Sequence, residues 1–318
     1  MSERKPNLVL RSDMPLDEFI EKILVEMRGL DIDFSYTGFG TWSHSKLKAF
    51  SSCYLYFLLN NLLKIKYELT ESEMDLQESL RMKFTGIIAH GILEDLVNGI
   101  DFDTSLARHK DKYQSDLSEE AWLDIESLRD RTQMFMDRFD FFSTTYGKES
   151  HHTEQKLAID YVGNPVPFDS KKVFFRGVLD LSILLKNGDA ILFDHKNGGS
   201  AEHGLRNYES QLKSQALLLS CNKPDIKSVV PFIHFIQEGG VAGGKEVYKK
   251  DTIQEEFLRS IISRIDGSIE ILKEKRKFKQ SSGNLCQYCE FKAMCKTGKR
   301  GSGGLLKPII DESVRFFK

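Results

Sequence analysis

The chain has 318 residues and a formal net charge of -2, with 40% apolar and 29% charged residues. That length sustains one large domain or two ordinary ones with a substantial core. The near-neutral charge excludes a globally basic nucleic-acid coat, though not a local basic groove. The start, "MSERKPNLVLRSDMPLDEF", has no apolar signal core, and runs such as "YLYFLLNNLL" are too short and interrupted to span a bilayer. A cytoplasmic protein is expected, and there clustered cysteines suggest metal before disulfide.

In chain order, residues 1–44 are mixed, with a helix expected at 15–29 and a loop at "YTGFGTW". The pattern is helical from about Ser45, read as an N-cap, to Lys66, again over 72–98, and from about Leu117 to Phe142 after the acidic opening "DLSEE". The character then changes. Segments near 153–161, 173–185, 189–196 and 228–237 are rich in Val, Ile, Phe and Leu and read as strands. Residues 206–221 and 252–276 read as helices. A mixed sheet flanked by helices follows, in an α/β or α+β fold. The expected divisions are an N-terminal extension (1–44), a helical region (45–150), a core (151–250) and a C-terminal helix with a cysteine tail (251–318).

The stretch "GVLDLSILLKNGDAILFDHKNG", Gly177 to Gly198, decides the chemistry. Asn187-Gly188 marks a turn. A two-residue turn sets the two aspartates on opposite faces. A three-residue loop, with Gly188 left-handed, sets Asp180 opposite Asp194. The second register gathers Leu179, Leu181, Ile183, Ile191 and Phe193 on one face and Asp180, Ser182, Asp194 and Lys196 on the other, so it is preferred. Facing carboxylates repel unless a proton or cation intervenes, and hard oxygen ligands favour Mg²⁺ or Mn²⁺. The plain alternative is a solvated face with an ordinary salt bridge. The side chain of His195 points away from the aspartates in this register.

"GVLD" followed by "FDHK" resembles the G-x-x-D and D-x-K motifs of the PD-(D/E)xK nuclease superfamily, and the RecB-like exonuclease branch in particular, including its CRISPR-associated and AddB-type members. "IIAHGILEDL" is similar to that branch's helical histidine motif, giving His90 with Glu94 one turn later. "HTEQKLAI" resembles its strand-opening glutamate, giving Glu154. "YESQLKSQALLL" resembles its Q-L-x-x-Y helix, giving Gln211. This chain departs at Asn197, where the branch often has Thr, and at Gln215, where it has Tyr; Tyr208, one turn from Gln211, is a partial substitute. The resemblance implies a restriction-endonuclease-like core with a helical N-terminal region.

It also implies a site. Asp180 and Asp194 would hold Mg²⁺ or Mn²⁺ with His90 and the backbone carbonyl of His195, Lys196 would orient the attacking water, and Gln211 would position the ion shell or the phosphate. Glu154, Glu94 and Tyr208 are supporting candidates. The implied activity is a DNA nuclease, an exonuclease on single strands or ends, with a helicase or recombination partner supplying unwinding. The alternative is a non-catalytic DNA-binding or assembly subunit, and a restriction-like endonuclease is a third reading.

Cys286, Cys289 and Cys295 form C-x2-C-x5-C, a metal-ligand spacing one ligand short of four. Cys53 is the natural fourth, and Cys221 reads as a buried small hydrophobe. The residues alone suit zinc. The resemblance favours a [4Fe–4S] cluster that staples the tail to the N-terminal helices. The basic segments 273–279 and 295–304 suit phosphate contact or a solvated helix end. His151 and His152 are expected to be solvated at a strand start.

Overall fold

The structure is a computed structural model. It describes residues 9–11, 41–62, 66–68, 74–114, 117–199, 205–275, 286, 289 and 291. The expected helix at 15–29, the residues 273–279 beyond Lys275, the basic segment 295–304 and Cys295 lie outside the described residues. The chain divides into two compact units, Met74–Ser260 and the segments Met1–Glu73 with Ile261–Lys318. No helix among the described residues is long and apolar enough to cross a membrane.

In the unit of the two chain ends, β1 (Val9–Arg11) pairs in parallel with β2 (Lys66–Glu68). Helix α1 (His44–Ser52) starts at Ser43, whose hydroxyl accepts the Lys46 N–H at 3.2 Å; Ser43, not Ser45, is the cap. The expected run to Lys66 is broken at Cys53, which is extended (φ -158, ψ 113). Its Sγ accepts the Tyr56 N–H at 3.5 Å, opening a second helical stretch, Tyr54–Tyr56, that widens into a π-type stretch at Phe57–Leu62. Trp42, Phe50 and Phe57 pack ring to ring and are buried. The Tyr56 ring lies 6.0 Å from that of Phe291, which is 2% exposed.

The other unit holds helices α2 (Met74–Val97), α3 (Phe102–Tyr113), α4 (Glu119–Glu126), α5 (Arg129–Thr145) and α6 (Glu209–Asn222). Helix α7 (Leu258–Lys275) is divided between the units. The one helix expected over 117–142 is two, and α3 was not expected at all. Asp101 starts α3 by accepting the Thr104 N–H at 3.0 Å, and Ser118 starts α4, with Glu119 and Glu120 in its first turn. Gly91 lets α3 close on α2: a Cβ there would lie 2.5 Å from the His109 ring.

The strands are β3 (Lys148–Ile159), β4 (Phe175–Leu185), β5 (Asp189–Lys196), β6 (Ser228–Phe235), β7 (Gly240–Gly243) and β8 (Tyr248–Lys249). The sheet order is β3-β4-β5-β6-β7, with β8 also on β6. Within this sheet, among the described residues, only β5 and β6 run parallel, joined through α6. This is the expected mixed sheet with helices. Ala89, Leu93 and Val97 of α2 and Phe135 and Phe139 of α5 pack on Leu181, Ile183, Leu185, Ile191 and Phe193. Leu212 of α6 packs with Ile233 and Phe235. The sheet is therefore covered on both faces, which explains why β5 reads as a nearly continuous apolar run.

The β4–β5 register pairs Leu181 with Phe193, Ile183 with Ile191 and Leu184 with Ala190. This is the three-residue-loop register. Gly188 has φ +88, its N–H donates to Leu185 O at 3.0 Å, and the Asn187 side-chain oxygen accepts the Asp189 N–H. The polar side of the hairpin is not solvated, however. Ser182 is fully buried and Asp194 is 1% exposed, because α6 lies over them. His151 and His152 are half-buried too: His151 packs edge-on against Phe139, and Lys223 approaches His152.

Candidate active site

The ladder between β4 and β5 ends one residue short of Asp180. There the Asp180 carboxylate replaces a strand carbonyl, accepting the His195 N–H at 2.7 Å. The strands part, and polar side chains converge in the opening. On the neighbouring strand the β3–β4 pairing skips Glu154, flanked by Thr153↔Leu181 and Gln155↔Leu179. Glu154 has φ 45, the one positive φ among the described non-glycine residues. A left-handed side-chain-bearing residue costs about 1 kcal/mol, and such strain clusters at functional sites. Here it turns a carboxylate toward the opening.

One atom each of His90, Glu154 and Asp180 lies within 4.8 Å of the others. His90 comes from α2, with Nδ1 3.8 Å from Asp180 Oδ2. Glu94, one turn on, accepts from the Thr153 hydroxyl at 3.4 Å and so stands beside Glu154.

Asp194 belongs to a second group. Lys196 Nζ is 2.6 Å from its Oδ2. Gln211 Nε2 donates to its Oδ1 at 2.7 Å, and Gln215 Nε2 donates to the same atom at 2.8 Å. The Gln211 oxygen in turn accepts from Lys196 Nζ at 3.2 Å. Tyr208 completes the surround, its ring 5.6 Å from Lys196 Nζ.

The His195 ring lies on the opposite side, against Phe135 and the buried His234, with Nδ1 3.0 Å from His234 Nδ1. Its side chain is thus apart from the carboxylates, as the register implied. The structure brings together His90, Glu94, Glu154, Asp180, Asp194, Lys196, Gln211 and Tyr208. Sequence reasoning missed Gln215, which it counted only as a lost tyrosine. Its position four residues after Gln211, on the same helix face, was the available signal.

The model of the PD-(D/E)XK nuclease superfamily matches residues 41–296. The chain belongs to the PD-(D/E)XK nuclease superfamily. A search of curated proteins found no match. Among solved structures, the crystal structure of SSO0001 aligns at 14% identity over 67% of this chain and 96% of that one, with a TM-score of 0.29. Members of the superfamily are nucleases that use divalent metals and take DNA as substrate, and the mixed sheet with its helices is the restriction-endonuclease-like fold.

Do the residues of this PD-(D/E)XK chain fit such a metal? Burial raises the Asp180 carboxyl well above the usual range, and Asp194 pushes it further; the His195 N–H only partly opposes them. The Glu154 carboxyl is raised by burial and by Glu94. Burial lowers His90 from the usual histidine range, which favours the neutral ring with a lone pair for a ligand. Crowded carboxylates beside a neutral imidazole are an electron-pair donor set with surplus negative charge. A hard divalent cation satisfies both conditions.

Proposed function

We propose that the chain is a Mg²⁺- or Mn²⁺-dependent deoxyribonuclease of the RecB-like branch, trimming single-stranded DNA or DNA ends to a 5′-phosphate and a 3′-hydroxyl in a reducing cytoplasm. The observation that carries this reading is the convergence of His90, Glu154 and Asp180 beside the Lys196–Asp194–Gln211 group.

His90, Glu154 and Asp180, with Asp194 and the His195 carbonyl, would hold the ion. Once bound, it supplies Lewis acidity, making a water more acidic and offsetting charge on the phosphate. The chain's own residues do the rest. Asp194 and Gln211 hold the Lys196 ammonium from two sides, so it meets the developing oxyanion already oriented. Gln211 and Gln215 fix the Asp194 carboxylate through one oxygen, leaving the other, beside Lys196, for the ion. Tyr208 presents its ring to the Lys196 ammonium, an attraction that helps keep it in place.

In the other unit, Cys53, Cys286, Cys289 and Cys295 would hold a [4Fe–4S] cluster, with zinc as the competitor. The packing of Phe291 on Tyr56 supports this, since it sets a residue two positions after Cys289 against the helical stretch that Cys53 opens. Anaerobically purified protein should absorb broadly near 400 nm, as expected for thiolate-bound iron.

The test is cleavage of end-labelled single-stranded and circular DNA by the full chain in Mg²⁺, Mn²⁺ or EDTA. Metal-dependent cutting of linear strands, lost in Lys196→Ala, is the expected result. A wild-type protein inactive with every metal overturns the reading, as does an equally active Lys196→Ala.

A further inference from the structure

Directly after Lys196 the chain leaves β5, and the Lys196 carbonyl accepts the Ile236 N–H at 2.9 Å. Asn197, the next residue, is half-buried. Its side chain ends a relay that begins on α5. Arg131 Nη1 donates to Gln237 Oε1 at 3.2 Å, and Gln237 Nε2 donates to Asn197 Oδ1 at 3.0 Å.

The chemistry of the relay sets its direction. A guanidinium has donors and no acceptor, so Gln237 must turn its oxygen to Arg131 and its NH₂ to Asn197. Asn197 must then accept through oxygen, which leaves its own NH₂ to donate elsewhere. The orientation of both amides follows from the charge at one end rather than from a choice of flip. The cation also polarises each successive amide toward donation.

That NH₂ lies toward α2. Gly86 of α2 is one helical turn before His90, and a Cβ there would lie 3.7 Å from Asn197 Cβ and 3.8 Å from its Nδ2. The Asn197 amide therefore lies against α2 one turn before the metal-ligand candidate His90. Among the described residues no acceptor meets Asn197 Nδ2.

We infer that Asn197 is a substrate-binding residue, donating a hydrogen bond to a phosphodiester oxygen of the DNA strand, and that Arg131, acting through Gln237, is the positioning residue that holds its amide in the donor sense. This rests on the nuclease reading above. An NH₂ group whose partner oxygen is already taken by Gln237 suits an anionic oxygen and repels nothing along a sugar–phosphate backbone. The contact carries no base information, so it serves any sequence.

The experiment measures, for the full chain in Mn²⁺, the concentration of a single-stranded oligonucleotide giving half-maximal cutting. A hydrogen bond to a charged group contributes about 1.5–3 kcal/mol, or about 10–100-fold in half-saturation. Asn197→Ala should show such a rise, and Asn197→Asp a larger one, because an acceptor replaces the donor. Gln237→Glu is the sharper variant. Its carboxylate still accepts from Arg131 but presents only acceptors to Asn197, which must flip and turn its oxygen to the DNA. A rise of about 10-fold is expected there, although Gln237 touches no substrate. Wild-type half-saturation in both Asn197→Asp and Gln237→Glu overturns the inference alone. A wild-type protein that neither binds nor cuts DNA with metal overturns the nuclease reading as well. If Asn197→Asp does not fold, Gln237→Glu decides.

Discussion

The two ends of one hairpin differ sharply. Toward its turn, β4 and β5 are paired rung by rung, and Leu181, Ile183, Ile191 and Phe193 are almost wholly buried against α2 and α5. Toward its open end the ladder stops, a carboxylate takes the strand's hydrogen bond, and the neighbouring strand carries a left-handed Glu154. The same two strands therefore do two jobs. Regular pairing and apolar burial hold the fold at one end. At the other, converged carboxylates and strained backbone cost stability and create a place for a cation. Stability and chemistry are separated by about one rung, and substitutions on either side should divide accordingly.

The largest effect should come from the open end. Lys196→Ala should lower cleavage at least about 1,000-fold, the scale of losing one oriented oxyanion partner, with a melting temperature close to wild type. The closed end should show the reverse. Phe193→Ala should cost about 3–5 kcal/mol in denaturant unfolding, while the folded fraction cuts at its normal rate. Gln215→Leu, at the border, should lower cleavage about 10-fold by freeing Asp194 on one side, which a single-turnover assay would read. Asp180→Asn gives a smaller, signed effect on stability. The Asp180 carboxyl is raised above its ordinary 3.8, so the folded chain binds more protons than the unfolded one above that pH. In EDTA, wild-type stability should fall relative to Asp180→Asn as pH rises from about 4 toward neutrality. Equal pH profiles for the two proteins would remove the proposed crowding. Smallest, Glu154→Gly should raise metal-free stability by about 1 kcal/mol by relieving the left-handed backbone.

Much of this was legible in the residues. The hairpin register followed from the alternation of Leu and Ile against Asp and Ser, because a one-residue slip would have mixed the two sets. The turning of the His195 ring to the face away from the aspartates followed from the same count. The α6 cover over Asp194 was not legible, since a strand's alternation says which side a residue faces but not whether that side is wet. The break of α1 at Cys53 was hidden because its apolar spacing continues through the kink. Gln215 was hidden by comparison with a motif: a missing tyrosine drew notice, and the second amide on Asp194 did not. Glu154's backbone leaves no mark in composition, because its conformation is imposed by the strands on either side.

The account depends on His90, Glu154 and Asp180 meeting around a divalent cation. Mn²⁺ binding to the full-length protein, followed by the loss of the free-ion electron paramagnetic resonance signal, tests this without any DNA. The account predicts at least one site in the wild type, weakened about 10-fold or more in each of His90→Ala, Glu154→Gln and Asp180→Asn. Mn²⁺ bound equally well by all four proteins would contradict it.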